Sequence, residues 1–421
     1  MKSLTRREYR CIKWVAIAAC VIAISVSAET IDREAADPLL SRIPAVFTLA
    51  THQYEFILEK AKGQTNIPRT VVHGEVQFVA AKDWTSGFFP GALWYLYEYT
   101  SNTSWKTAAQ EYTKRLENMK DFDGSHDVGF ILNCSFGNGY RLTRNPHYRE
   151  VLIQGAHTLS ARFKTEVGLI RSWDHGKWQY PVIIDSMMNL ELLTQAAREA
   201  SEPRLREIAI SHADNTLKNH FRPDASTWHV VDYNPTNGAV LRKQTHQGAA
   251  DTSTWSRGEA WALYGYTMMY RETGRPDYLA QAGRIALFVM NHPRLPKDKI
   301  PYWDFDAPDI PNAPRDASSA AIMASALVEL SGYAPPDLAR QCYGLARQEL
   351  LTLCSPAYLS QVGENGGFLL RHCVGSMPKK VEVDVPLNFA DYYFLEALLR
   401  YRNHALQGKA IPLSPPTTMQ N

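Results

Sequence analysis

The run WTSGFFPGALWYLYEYT, Trp84–Thr100, followed at once by SNTSWKTAAQEYTKRLENM, Ser101–Met119, contains the repeat from which the fold is read. In its first half Gly87, Pro90 and Gly91 mark a loop entering a helix, and Trp94, Leu96, Tyr97 and Tyr99 then cover most of the helix circumference. A helix that is apolar on several sides is buried on several sides. The second half, Trp105–Met119, is amphipathic with its charges outward, as suits a helix packed on one side only. A buried helix backed by a half-exposed one is the unit.

The same alternation extends in both directions. Upstream, from Pro38 to Lys62, Leu40, Ile43, Phe47, Ala50, Tyr54, Ile57 and Leu58 recur at helical spacing. Pro44 either kinks this helix or occupies its first turn, and Pro68 ends it. Downstream, Tyr148–Phe163 reads as a helix, and a loop with Trp173, His175 and Trp178 follows. IIDSMMNLELL, Ile183–Leu193, opens a buried helix reaching Ala200, with Leu205–His220 as its outer partner. HQGAADTSTWSRGEAWALYGY, His246–Tyr266, carries a polar loop into another buried helix backed by Tyr278–Met290. RDASSAA, Arg315–Ala321, opens a small-residue helix paired with Asp337–Leu353, and ADYYFLEAL, Ala390–Leu398, lies in the last helix. Short β-like pieces fall at Thr70–Phe78, Thr227–Tyr233 and Phe368–Val374. About eleven or twelve helices of alternating character predict an all-α toroid of inner and outer rings, with loops at one end forming a pocket. An α-solenoid is the alternative, but no fixed-period repeat is evident.

No Pro/Gly/Ser-rich linker or charge run divides the 421 residues, so one catalytic-size domain is expected over residues 29–408, with a frayed Pro-rich tail at 409–421. Residues 1–28 read as a signal peptide: Lys2, Arg6, Arg7, Arg10 and Lys13 form a basic region, and WVAIAACVIAISVSA, Trp14–Ala28, an apolar one with small residues at Val26 and Ala28. Export to the periplasm or beyond follows, with an uncleaved signal anchor as the alternative. Without this leader the formal net charge of +2 falls to about −2, so nucleic-acid binding gains no support from charge. Of six cysteines, Cys134, Cys342, Cys354 and Cys373 lie outside the leader, at spacings that match no zinc pattern, and their pairing stays open. Of two N-x-S/T sequons, Asn102 sits in an exposed turn and Asn133 in a stretch that favours burial over glycosylation.

The chemistry is carried by the loops before the buried helices. HDVGFILNCSFGNGYRLT, His126–Thr143, sets an imidazole and a carboxylate side by side ahead of an aromatic segment. Asp127 reads either as a helix N-cap or as a cleft carboxylate; Gly129, Gly137 and Gly139 allow close backbone approach or positive φ, and Phe130, Phe136 and Tyr140 offer flat faces. Asp83, Asp185, His246, Gln247, Asp251 and Arg257 enter from neighbouring loops, with Trp84, Trp255 and Trp261 as candidate sugar platforms. Several tryptophan- and carboxylate-rich loops converging on one end point to a carbohydrate cleft. Asp185 follows the apolar run Val182–Ile184, where desolvation would raise its pKa and keep it able to give a proton; its plain role would be an N-cap. Arg257 could hold a substrate carboxylate, or pair with a neighbour such as Glu259. No metal-binding, phosphate-loop, nucleophile-elbow or dinucleotide motif is present, so neither metal nor cofactor is expected.

WTSGFFPGALWYLYEYT, HDVGF with SFGNGYRLT, IIDSMMNLELL, STWSRGEAWALYGY and ADYYFLEAL, in this order, resemble the unsaturated glucuronyl hydrolases of glycoside hydrolase family 88. The resemblance spans Trp84–Leu398 and implies a six-hairpin (α/α)6 barrel acting on the unsaturated uronic acid that polysaccharide lyases leave at a non-reducing end. By the same resemblance Asp185 is the general acid/base and Asp127 the second essential carboxylate. His229, Gln247 and Arg257 take the places of substrate-contacting or assisting polar groups, and Trp84, Phe88, His126, Trp255 and Trp261 line the cleft. The implied chemistry is hydration of a vinyl ether: Asp185 protonates C4, positive charge develops at C5 and the ring oxygen, and water attacks C5. Relatives acting on sulfated sugars carry Ser and Lys near the C-terminal part of the cleft; Ser376, Lys379 and Lys380 in GSMPKKVEVD resemble these at a spacing that is not a clean match, or form an exposed basic loop. The rivals are an unsaturated rhamnogalacturonyl hydrolase, against which the His126–Asp127 pair argues; a barrel-type epimerase, which needs an acid/base pair of histidines; and a non-catalytic carbohydrate-binding protein, which has no use for both Asp127 and Asp185.

Overall fold

Helices that are buried all round have to be enclosed by their own kind, and in the computed structural model, which describes residues 37–407, they enclose one another in a ring. The chain forms α1 (Ile43–Lys60), α2 (Phe88–Thr100), α3 (Thr103–Lys114), α4 (128–143), α5 (Pro146–Ser160), α6 (Ser186–Ala200), α7 (Pro203–Asn219), α8 (Ser256–Thr273), α9 (Pro276–Asn291), α10 (Ala317–Ser331), α11 (Pro336–Leu353) and α12 (Asn388–Gln407). The even-numbered helices pack in sequence, α2 on α4 through to α10 on α12, and α12 returns to α2. The odd-numbered ones lie outside. Five hairpins are consecutive in the chain; in the sixth, α1 backs α12 and α2 from the other end of the described residues, Tyr54 stacking on Phe89 and reaching the Asp391 carboxylate at 3.4 Å. The fold is the expected six-hairpin (α/α)6 barrel.

Inner and outer helices differ as their sequences require. Every side chain of α10 is buried, whereas α9 and α11 bury one face each. Pro44 lies in the first turn of α1, where its missing N–H costs nothing. Only α4 departs from regular geometry: Val128–Leu132 and Asn138–Thr143 are α-helical, and Asn133–Gly137 between them is a π turn. The glycines of this stretch serve close approach and not positive φ: a Cβ on Gly129 would fall 2.5 Å from the Cβ of Asn189 in α6. Phe136 and Tyr140 do not face a cleft; Phe136 packs edge-on against Tyr148 of α5, and the Tyr140 hydroxyl donates to Glu199 at 2.7 Å.

The β pieces lie at the ends of the barrel helices. β1 (Ile67–Val72) and β2 (Glu75–Val79) form a hairpin spanning the expected Thr70–Phe78 region, and β3 (Phe163–Lys164) pairs with β4 (Leu169–Ile170). β5 (Pro181–Ile183), β6 (Val230–Tyr233) and β7 (Val240–Gln244) form an antiparallel sheet, and β8 (Cys373–Ser376) pairs with β9 (Val381–Val385). The four cysteines outside the leader are free thiols. Asn102 is exposed and caps α3, and Asn133 is half-buried and donates to Glu191 at 3.0 Å. The leader and the tail lie outside the described residues.

Candidate active site

The N-terminal ends of the six inner helices meet at one mouth, where their unpaired N–H groups make an environment favourable to negative charge. Asp127 and Asp185 occupy the N-cap positions of α4 and α6, yet neither side chain accepts a capping hydrogen bond. By contrast, Asp316 caps α10 in the ordinary way, accepting from Ser318 N–H at 3.1 Å. The two site carboxyls therefore face the cleft, Asp127 with 22% of its side chain exposed and Asp185 with 11%.

His126 links them. Its Nδ1 lies 3.0 Å from the Ser186 hydroxyl and 3.1 Å from Asn189 Nδ2, while Asn189 Oδ1 accepts from Phe130 N–H at 2.7 Å. That orientation of the amide makes Nδ1 an acceptor and puts the hydrogen on Nε2, which faces Asp127 Oδ1 at 3.3 Å. Ser125 donates to the other oxygen at 2.7 Å. Burial holds His126 at a pKa of about 3, so the imidazole stays neutral.

Asp185 is treated differently. His229 Nδ1 receives the backbone N–H groups of His246 and Gln247 at 3.1 and 3.2 Å, so its hydrogen also sits on Nε2, which faces Asp185 Oδ2 at 3.6 Å. Asp185 Oδ2, His229 Nε2, Trp261 Nε1 and Ser376 Oγ are buried atoms without hydrogen-bond partners in the protein. Unpaired buried polar groups are rare and mark places where a ligand or water is accommodated. Desolvation is the largest influence on Asp185 and lifts its pKa to about 7, with the Asp127 charge adding to the rise and Arg257 and Trp261 opposing it. Desolvation also lifts Asp127, to about 6, Asp83 adding to it and Ser125 and Arg162 opposing it. Burial outweighs the helix ends, whose field alone would lower both values.

Arg257 is engaged by the protein at its terminal nitrogens. Its terminal nitrogens bond Asp316 at 3.0 Å and the carbonyls of Val374 and Gly375, the latter at 2.7 Å, and its guanidinium lies 4.7 Å from the Trp255 ring centroid. It ties β8 to the barrel through its terminal nitrogens, while its Nε is a buried donor without a partner in the protein. Nor is Glu259 its partner: Glu259 accepts from Thr227 N–H and hydroxyl at 2.7 and 2.8 Å. Phe88 and Trp261 are fully buried, forming with Phe130 and Tyr393 an aromatic floor beneath the carboxyls and not a sugar platform. Trp255, 4% exposed, backs His229 at 4.5 Å between ring centroids. Trp84 is half-buried over Phe130 and Phe389, and Gln247 reaches Gly375 O at 3.3 Å. Asp83 is paired with Arg69 at 2.7 Å, and Asp251 is exposed and holds Thr245 N–H.

One wall of the cleft joins His246, which its loop already offered, to Trp173, His175 and Trp178, to which sequence alone assigns no role. Trp173, Trp178, His175 and His246 form one ring cluster with centroids 5.4–5.6 Å apart, adjoining His229 through His246. Asp232, fully buried, holds the loop that carries Trp178 by accepting from Gln179 and Tyr180 N–H, each at 2.9 Å. Lys379, at the turn between β8 and β9, with His175 keeps His246 at a pKa of about 4 behind the effect of burial, which places positive charge at this rim. Asn189 was legible in principle, four residues after Asp185 on the same helix face.

The model of Glycosyl Hydrolase Family 88 matches residues 58–297. An unsaturated glucuronyl hydrolase of Formosa agariphila is 47% identical over 361 residues, covering 85% of this chain and 90% of the relative. Another, from Bacillus sp. strain GL1, is 34% identical and covers 76% of this chain and 86% of its own. Among solved structures, an unsaturated glucuronyl hydrolase specific for heparin superposes with a TM-score of 0.84 at 43% identity, covering 88% of this chain and 99% of that one.

Proposed function

The chain belongs to glycoside hydrolase family 88, and from that membership and the geometry of the cleft we propose that it is an unsaturated glucuronyl hydrolase with Asp185 as proton donor. It releases the non-reducing-end 4,5-unsaturated uronic acid from lyase-generated oligosaccharides. The observation that carries the reading is the pair of uncapped, desolvated carboxyls at the ends of α4 and α6, with His126 beside Asp127 and bonded to Ser186, the chain neighbour of Asp185.

With a pKa near 7, Asp185 is largely protonated in mildly acidic solution and can give its proton to C4. The C4=C5 π electrons take that proton, and the ring oxygen supplies density to C5 as positive charge develops there. The Asp185 carboxylate then accepts a proton from the water that adds to C5, which restores the acid and yields a hemiketal. Ring opening of the hemiketal frees the remaining saccharide. Asp127, ionised above about 6, offers negative charge to the cationic transition state. The His229 Nε2–H steadies the Asp185 carboxylate once the proton has left. The substrate carboxylate is favoured by the converging helix ends and the Lys379 side of the rim. Because the chemistry is addition to an alkene, the separation rule for retaining and inverting carboxylate pairs does not apply.

The basic rim and the relative specific for heparin support acidic, sulfated disaccharides as the first candidates. The basic-then-apolar leader supports action outside the cytoplasm. The test is the ultraviolet band of the conjugated alkene in a panel of lyase-generated disaccharides, sulfated and unsulfated, from heparin, chondroitin and rhamnogalacturonan. Loss of the band with wild type but not with Asp185→Asn is expected. A folded wild-type protein that leaves every band intact would overturn the proposal in favour of a carbohydrate-binding role.

A further inference from the structure

Behind the sheet that delivers Asp185 and His229, α7 and its C-cap present His212, Thr216 and His220 at intervals of four residues, all without solvent exposure. His212 Nδ1 accepts the Ile170 N–H at 3.0 Å. His220 touches β5 through its side chain and the segment leading into β6 through its backbone. Its Nε2 lies 3.1 Å from Val182 O in β5, three residues before Asp185, and its own carbonyl accepts Trp228 N–H at 2.7 Å, one residue before His229. Between these two points Ile184 N–H donates to His229 O at 3.0 Å. A carbonyl oxygen only accepts, so His220 carries its hydrogen on Nε2, leaving Nδ1 as a buried lone pair without a protein partner. β5 is three residues long, laddered to β6 on one side and bonded to Ser172 on the other, and the His220 imidazole adds the side-chain donor that ties it to α7, so the seating of β5 on α7 bears on the Asp185–His229 approach.

We propose that His220 is a positioning residue for the hydration reaction, its imidazole fixing through Val182 the distance and orientation between the Asp185 carboxyl and the His229 Nε2–H, while the backbone carbonyl of the same residue anchors Trp228 whatever the side chain. The inference rests on Asp185 being the proton donor. The imidazole does this as a neutral donor: burial brings its pKa to about 4, Lys243 of β7 adding to the drop and the Val182 carbonyl opposing it. His212 from the same helix is also close and neutral. The groups facing Asp185 are Asp127 at the start of α4, Arg257 of α8, His229 before β6 and the indole of Trp261 in α8. Loosening β5 would admit water to Asp185, weaken the desolvation that raises its pKa, and leave it ionised over more of the neutral range.

Three variants of the full chain separate this role from plain packing. His220→Gln retains an N–H donor near the Nε2 position, His220→Asn carries its donor too short to reach Val182, and His220→Phe keeps ring volume without a donor. The readouts are kcat and KM for alkene loss between about pH 5 and 9, with thermal unfolding alongside. His220→Phe and His220→Asn are expected to lower kcat by on the order of 10-fold at a KM within about two-fold of wild type, and to move the alkaline limb of kcat to lower pH. His220→Gln is expected to recover most of kcat and the wild-type limb. Equal losses in all three variants with an unmoved limb, or wild-type kinetics in His220→Asn, would overturn the proposal. If His220→Phe fails to fold, the Gln and Asn pair carries the same comparison. A wild-type protein inactive on every alkene would instead defeat the hydrolase reading itself.

Discussion

At the scale of single residues, the site turns on two aspartates that decline the role their position offers. An aspartate ahead of a helix ordinarily caps it, and Asp316 does, while Asp127 and Asp185 leave their helix ends uncapped and point into the cleft. Asp185→Asn removes the transferable proton and is expected to lower kcat by roughly 10²–10⁴-fold with ligand binding retained, measured by alkene absorbance and calorimetry. The pH dependence follows from the two raised values. The proposed mechanism needs Asp127 ionised, which is lost as pH falls through about 6, and Asp185 protonated, which is lost as pH rises through about 7. A bell-shaped kcat with its maximum between these limits is expected, and a flat profile across them would count against the assignment. Asp127→Asn should abolish the acid limb of whatever activity remains.

At the scale of elements, α4 shows how packing sets catalytic geometry. Gly129 lets α4 lie directly against Asn189 of α6, and Asn189 in turn orients His126 and holds Phe130 N–H. Gly129→Ala would push the two helices apart or displace Asn189, and a destabilisation of about 1–3 kcal/mol is expected from overpacking at this contact. Denaturant unfolding gives the magnitude, and unchanged stability would show that the contact relaxes freely. Sequence periodicity does not reveal α4 as a helix, because its π turn inserts an extra residue per turn and shifts the apolar phase between its halves. The β8–β9 hairpin was legible only as a β-like piece near Phe368–Val374. Its place over the cleft is decided by Arg257 at one strand and by Arg69 at Glu382 on the other, the Arg69 pair at 2.6 and 2.7 Å.

At the scale of the whole molecule, the mouth and the deeper part of the barrel are built for different purposes. The N-terminal mouth leaves buried polar atoms unpaired. Deeper in the barrel, charged side chains of the inner helices form a network, with Arg271 of α8 bonded to Glu191 of α6, Glu272 of its own helix and Glu329 of α10, and Arg400 of α12 joining Glu329 at 2.8 Å. Breaking a buried network leaves uncompensated charge. Arg271→Met is therefore expected to cost about 3–5 kcal/mol of stability, while the kcat of the protein that remains folded stays within about two-fold of wild type. A large loss of kcat without loss of stability would show that this network is coupled to the carboxyls.

What the sequence by itself determined was the alternation of wholly apolar and one-faced helices, and with it the closed double ring, since burial on all sides is written directly into composition and spacing. It also determined which loops bring carboxylates, because those loops precede the buried helices. Only the tertiary structure decided what each polar group does. Arg257 has the residue type of a substrate clamp but meets Asp316, far along the chain, and the Trp173–Trp178–His246 wall forms from loops that share no motif. The reason is physical: hydrophobic periodicity is local and read one turn at a time, whereas a hydrogen-bond partner or a desolvated pKa depends on groups the chain returns from a distance. The bond from the His220 imidazole to Val182 is of that second kind, made where the end of an outer helix meets a strand.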